Sequence, residues 1–262
     1  MRRPGARAPL LVLDWGIGGF GVVRALWERD PGVPVVYVSD AGFTPYGRVP
    51  ADVLAARIGA LLGHFAGLGA ERAVLACNAA STVAHLVRAG ALEVVDMLDA
   101  GVEVVQRTGL PRVGLLGGAR TVRSGSHRRR LAALGVAVRA RVAQPLSARV
   151  ERGDLASAGL DADIARIVAP LRRERAVLLA CTHYPAIEGA LQRHLPGVTL
   201  LDPARAVAER VCPIARAARA AAARPIRAFT TGSPEATRAG AQAAFGLDPG
   251  AVTPLGALGR RS

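Results

Sequence analysis

Two of the three cysteines lie in nearly the same setting: Cys77 within "ERAVLACNAA" and Cys181 within "ERAVLLACTHYP", about a hundred residues apart. Each segment runs from a charged pair through an apolar, strand-like stretch into Ala-Cys and then polar residues. A lone cysteine in an apolar run is ordinarily a small packed hydrophobe. Two in matching settings, followed by Asn78 or Thr182, point to chemistry that needs a pair of thiols. Inverting a carbon centre is such a chemistry. One group removes a proton from one face, another returns one to the opposite face, and the roles swap with the handedness of the substrate. A thiol is only partly ionised at neutral pH, so each requires local help. Asp14 closes the first apolar run and can serve Cys77, and His183 stands two residues beyond Cys181.

The elements that must position these residues follow from the hydrophobic pattern. Strands are expected at 10–14, 33–40, 72–77, 92–97, 112–117, 136–142, 176–181, 198–202 and 226–231. Segments of helical period lie between most of them, among them 51–69 and 203–222. This alternation predicts an α/β fold with mostly parallel sheets covered by helices. The two cysteine segments imply two related α/β units with the active site in the cleft between them. The first unit covers 1–97 and the second begins near Leu98. In each, the cysteine falls at the carboxyl end of a strand, where open α/β sheets bind ligands. The N–H groups of a following helix would favour the thiolate. Cys212, in "ERVCPIARAA", lacks this setting and reads as a helix filler.

Composition excludes several classes. Half of the 262 residues are hydrophobic, enough for a sizeable core, and no run is long enough to span a membrane. The basic, apolar start leads directly into Asp14 and a glycine turn, so it reads as a first strand rather than a signal peptide, and the protein as cytoplasmic. An odd cysteine count argues against a disulfide framework, and no spacing suggests a metal. The formal charge is +14, yet every basic residue is arginine and the runs "RSGSHRRR" and "LRRERA" lack interleaved aromatics. Solvated helix faces are the simpler reading than a nucleic-acid surface.

One motif competes. "VLDWGIGGFG" holds G-x-G-x-x-G at Gly16, Gly18 and Gly21, with Asp40 at the end of the next strand, matching a dinucleotide fingerprint. That reading leaves both cysteines, Asp14 and His183 unexplained.

Taken in order, "LDWGIGGFGVVRAL", "YVSD" with "TPYGR", "LACNAAS", "VGLLGGARTVRSG", "VERGD", "LLACTHYP" and "FTTGSPE" resemble the cofactor-independent glutamate racemases of the Asp/Glu racemase superfamily over nearly the whole chain. The paired CN and CTH segments are the specific part. The resemblance implies no cofactor, a homodimer, D-glutamate supply for peptidoglycan, and a last segment (206–262) that returns to the first unit, leaving 98–205 as the second. By resemblance Cys77 and Cys181 are the two acid/base thiols, Asp14 accompanies the first, and Glu151 with His183 supports the second. Pro45, Tyr46 and Gly47 fall on a substrate-contacting loop, and Asn78, Thr121 and Thr182 on ligand-holding positions.

The chain departs from the family at Trp15 (usually Ser), Ala79 (usually a hydroxyl residue), Gly118 (usually Thr) and His127 (often Tyr). The first three remove hydroxyls from the expected substrate site, where missing partners erode selectivity. Racemisation of another amino acid, or a non-catalytic or dinucleotide-binding relative, therefore stands beside glutamate racemisation.

Overall fold

The central apolar runs become short strands buried on both faces, as parallel sheets require, and those at the sheet edges are more exposed. The computed structural model describes residues 7–212 and 226–256. Its strands are β1 Leu10–Asp14, β2 Val35–Ser39, β3 Arg72–Leu75, β4 Glu93–Asp96, β5 Arg112–Gly117, β6 Ala137–Val142, β7 Ala176–Ala180, β8 Thr199–Leu201, β9 Ile226–Thr230 and β10 Val252–Pro254. The helices are α1 Phe20–Arg29, α2 Ala51–Gly67, α3 Asn78–Ser81, α4 Met97–Gln106, α5 Ala119–Ser124, α6 Ser126–Ala132, α7 Gln144–Glu151, α8 Ala158–Val168, α9 Glu188–His194, α10 Ala204–Val211 and α11 Pro234–Phe245.

Two all-parallel sheets result, one ordered β10-β9-β2-β1-β3-β4 and the other β6-β5-β7-β8. The order β2-β1-β3-β4 is repeated as β6-β5-β7-β8, so the duplication read from the cysteine segments is a duplication of topology. The chain reverses direction across the sheet at β1/β3 and again at β5/β7. These switch points open a crevice beyond the strand ends. Cys77 follows β3 and Cys181 follows β7, one at each crevice. The expected strand at 226–231 extends the first sheet, β9 pairing with β2 from Val35↔Ile226 to Ser39↔Thr230.

Two local outcomes differ from the sequence pattern. The edge strand β10 leaves no strand pattern in the sequence, being three residues long, ending in Pro254 and only partly buried. The helix expected over 203–222 runs from Ala204 to Val211, and residues 213–222 lie outside the described residues. Cys212 is the buried residue that ends this helix, a filler as expected.

His127, at the family's tyrosine position, is buried in α6 away from the cleft. It fits because Gly101 of α4 has no side chain: a Cβ there would lie 3.0 Å from the imidazole Nε2. Neither ring nitrogen has a hydrogen-bond partner. Burial lowers its pKa from 6.5 to about 4. The unfolded chain therefore binds the proton first, so stability is full above pH 6.5 and falls as pH drops towards 4. The expected loss is about 3 kcal/mol, from roughly 1.4 kcal/mol per pKa unit. Urea unfolding of the protein and of His127→Leu at neutral and acid pH measures it; the variant should lose this part of the acid sensitivity.

Candidate active site

The turn after β1 is built from both sheets. Asp14 is fully buried, and its Oδ2 accepts from the Gly19 N–H at 2.7 Å, at the start of α1. The Tyr37 hydroxyl donates to the Gly16 carbonyl at 2.7 Å, and its ring stacks on Phe20 with centroids 3.8 Å apart. The glycines admit the second sheet's side chains. A Cβ on Gly16 would lie 2.3 Å from Glu151 Oε2, and one on Gly18 2.4 Å from Thr182 Oγ1.

This accounts for the dinucleotide-like motif. The space a pyrophosphate would need is filled by Glu151 and Thr182, and the Gly19 N–H is taken by Asp14. Asp40, the residue matching the ribose acid, is buried and engaged by the Tyr46 hydroxyl (2.9 Å), Arg57 Nε (2.9 Å) and the Thr231 hydroxyl (2.9 Å). The motif serves close packing of one unit on the other.

Around the second thiol, a linked chain of groups forms. Cys181 Sγ lies 3.7 Å from His183 Nδ1, and His183 Nε2 lies 2.5 Å from Glu151 Oε2. The Ile17 N–H donates to the same Glu151 oxygen at 3.2 Å, so the first sheet's turn holds the second sheet's carboxylate. Glu151 is thus held between the Ile17 N–H and His183. Burial by itself would lower the His183 pKa, but its hydrogen bonds to Cys181 and Glu151 and their charges hold it well above the usual imidazole value. Burial raises Glu151, but the bond to His183, its charge and the Ile17 N–H outweigh this and leave the carboxyl below its usual value. Both shifts favour the charged forms of the pair, and His183 Nδ1 faces the sulfur of Cys181.

The first thiol is different. Cys77 caps the short helix α3, and the N–H groups of Ala80 and Ala79 favour its thiolate. Burial outweighs them, with the charges of Asp14 and Cys181 adding, and the thiol lies well above its usual value. The expected helix assistance is present at Cys77 but does not prevail. At Cys181 the chain enters a 3-10 turn, Tyr184–Ile187, instead of an α-helix, and His183 stands beside the sulfur. Asp14 is itself raised, chiefly by burial, against the opposing His183 charge and Gly19 N–H.

One cavity of about 530 Å³ joins these parts, within the roughly 300–1,000 Å³ range of small-molecule sites. Trp15, Pro45, Tyr46, Gly47, Cys77, Asn78, Ala79, Thr121, Glu151, Cys181, Thr182 and His183 all line it. Asp14 lies behind this wall, with Thr182 Oγ1 3.5 Å from its Oδ2. Asn78 is buried, and neither its amide nitrogen nor its oxygen has a hydrogen-bond partner. Buried polar groups are normally paired, so a free amide at a cavity wall is suited to a polar ligand. The Trp15 indole donates to the Phe43 carbonyl at 3.0 Å and forms part of the wall, narrowing the site.

The lining also includes Gly118, Arg120, Arg123 and Gln144, of which only Gly118 was singled out from the sequence. Gln144 Oε1 accepts from the Ala119 N–H at 3.1 Å, anchoring the start of α5. Tyr184 is a further residue at the site that the sequence pattern does not single out. It is fully buried beside Cys181, and burial, followed by the Cys181 charge, raises its pKa. The adjacency of Arg120 to Thr121 and of Tyr184 to His183 was the available signal. Among the described residues no helix is long and apolar enough to cross a membrane.

The chain has relatives along almost its whole length. It is 30% identical over 270 aligned positions to the glutamate racemase of Desulforudis audaxviator, covering 95% of this chain and 98% of the relative. The structure of the Thermus thermophilus glutamate racemase in complex with β-chloro-D-alanine superposes with a TM-score of 0.83 at 28% identity, covering 97% of this chain and 98% of that one. The Francisella tularensis glutamate racemase bound to D-glutamate shares the fold, with a TM-score of 0.83 at 21% identity over 95% of this chain and 97% of that one. Residues 21–211 match the family described as Asp/Glu/Hydantoin racemase. With matching topology and a thiol at each switch point, the chain belongs to the Asp/Glu/Hydantoin racemase family.

Proposed function

We propose that the protein interconverts L- and D-glutamate, with Cys77 and Cys181 as paired acid and base and no cofactor taking part. The observation that carries this reading is that one cavity is lined by two thiols, one from each sheet, each with its own ionisable support. An ionised sulfur takes the α-proton from one face, and the C–H electron pair stays on carbon. The opposite thiol then gives its proton to the other face. The product is inverted, and the two sulfurs have exchanged protonation states, which solvent exchange resets.

Asp14 serves Cys77 from behind the cavity wall, its carboxyl raised by burial. His183, oriented by Glu151, serves Cys181. Asn78, Thr121, Thr182 and the Pro45–Gly47 turn hold the substrate. The catalytic cleft lies between one unit of 1–97 with 206–262 and another of 98–205, of which 1–6, 213–225 and 257–262 lie outside the described residues. The reading carries with it a cytoplasmic homodimer that supplies D-glutamate to peptidoglycan.

The decisive experiment incubates the protein with L- and, separately, D-glutamate in D₂O and follows the α-proton by NMR. Loss of the signal with appearance of the opposite enantiomer from both sides is expected. No exchange from either enantiomer overturns glutamate as substrate.

Trp15 favours a second reading, in which the same chemistry acts on another amino acid. The indole wall, with Ala79 and Gly118 in place of hydroxyl residues, makes the site narrower and less polar. On the glutamate reading, Trp15→Ser changes the glutamate KM by less than about tenfold, since the ring only walls the site. On the second reading it raises glutamate kcat/KM by about tenfold or more, and a panel of amino acids finds a faster substrate for the unaltered protein.

A further inference from the structure

The cleft has a fastening that belongs to neither thiol nor its support. Arg120, on α5 of the four-stranded sheet, reaches across to the turn that follows β2 of the other sheet. Its Nε donates to the Tyr46 carbonyl at 2.8 Å, and its Nη2 donates to the Val49 carbonyl. We infer that Arg120 is a positioning residue: it latches the substrate-facing turn 45–49 across the cleft and thereby sets affinity for the substrate. The inference rests on the racemase reading above, for which this turn contacts substrate.

Each end of the latch is held firmly. On one side, Gln144 fixes the start of α5 through Ala119, and Gly118 allows the close fit, since a Cβ there would lie 3.1 Å from Gln144 Oε1. On the other, the turn closes on itself through the Arg48 N–H and Pro45 carbonyl at 2.8 Å. It is tied down by the Tyr46 hydroxyl on buried Asp40. Between these anchors the bonds of Arg120 join the two walls directly, and Arg120 itself lines the cavity.

The chemistry of the side chain matters. A guanidinium presents a rigid fork that satisfies two carbonyls at once, whereas an ammonium is a single flexible point. Hydrogen bonds with one charged partner are the stronger kind. Because the carbonyls belong to the backbone of a turn whose Gly47 faces the cavity, Arg120 fixes where that backbone stands without reaching the proton-transfer groups. Loss of the latch should loosen substrate and leave the chemical step intact.

The test uses the full chain with Arg120→Ala and Arg120→Lys. Arg120→Ala should raise KM about tenfold for both enantiomers with kcat within about twofold, and Arg120→Lys should fall between. Hydrogen exchange of amides 46–49 in the ligand-free protein should quicken about fivefold or more in Arg120→Ala, without a comparable change in the β3 or β7 amides. Unchanged exchange in 46–49 overturns the latch, as does a fall in kcat at constant KM. A loss of melting temperature with exchange raised throughout also overturns it, because that is a structural effect alone. Exchange is read without substrate, so failure of the latch is separable from failure of the racemase reading, which the D₂O assay tests on the unaltered protein.

Discussion

Cys77→Ser and Cys181→Ser should each lower racemisation of glutamate, in both directions, by at least about a thousandfold. A full inversion uses both sulfurs, one as base and one as acid, so neither variant is spared in either direction. A serine hydroxyl placed at Cys77 would meet the same burial and the same Asp14 charge that already raise the thiol, and it begins as a far weaker acid. Turnover measured by circular dichroism, starting from each enantiomer, gives the result. A variant that keeps turnover within about tenfold of the parent would remove that thiol from the mechanism. The unequal surroundings add a second expectation. Because Cys77 lies well above the usual thiol value, the direction in which it acts as base should gain kcat with rising pH through the alkaline range.

Gly16→Ala should lower kcat by about a hundredfold, with a fall in melting temperature smaller than that of Gly18→Ala. The new methyl would lie 2.3 Å from Glu151 Oε2, too close for both to remain. What yields is the carboxylate, the far end of a flexible side chain, and it yields by leaving His183 and the Ile17 N–H. The imidazolium then loses the partner that orients it beside Cys181. Gly18→Ala is the contrast: it would meet the Thr182 backbone carbon at 2.9 Å, so stability falls further. Thermal melts beside steady-state kinetics separate the two. If Gly16→Ala keeps full activity, Glu151 has no positioning part in catalysis.

Much of the framework was legible because it is local. β1, β3, β5 and β7 are apolar runs with at most one charged residue at an end, and their burial on both faces makes such runs strands of a parallel sheet. A cysteine that ends one of these runs must lie at a strand's carboxyl edge, which is why Cys77 and Cys181 stood out. Pro45, Tyr46, Asn78, Thr121 and Thr182 were found through motif resemblance, and they do line one cavity. The glycine turn was ambiguous for a physical reason. Glycines are needed wherever something approaches the backbone closely, and the sequence does not say whether that is a pyrophosphate or a protein side chain.

The sequence by itself determined the alternation of strands and helices, the duplicated cysteine setting and the identity of the groups able to move protons. These depend on side-chain pattern over a few residues. Only the tertiary structure decided that Glu151 fills the space at Gly16, that the Trp15 indole walls the cavity, that Arg120 spans it, and that burial overrides the helix N–H groups at Cys77. Each of these is a meeting of residues far apart in the chain, or a sum of desolvation and charge over everything nearby, and such quantities exist only once the two sheets are packed together.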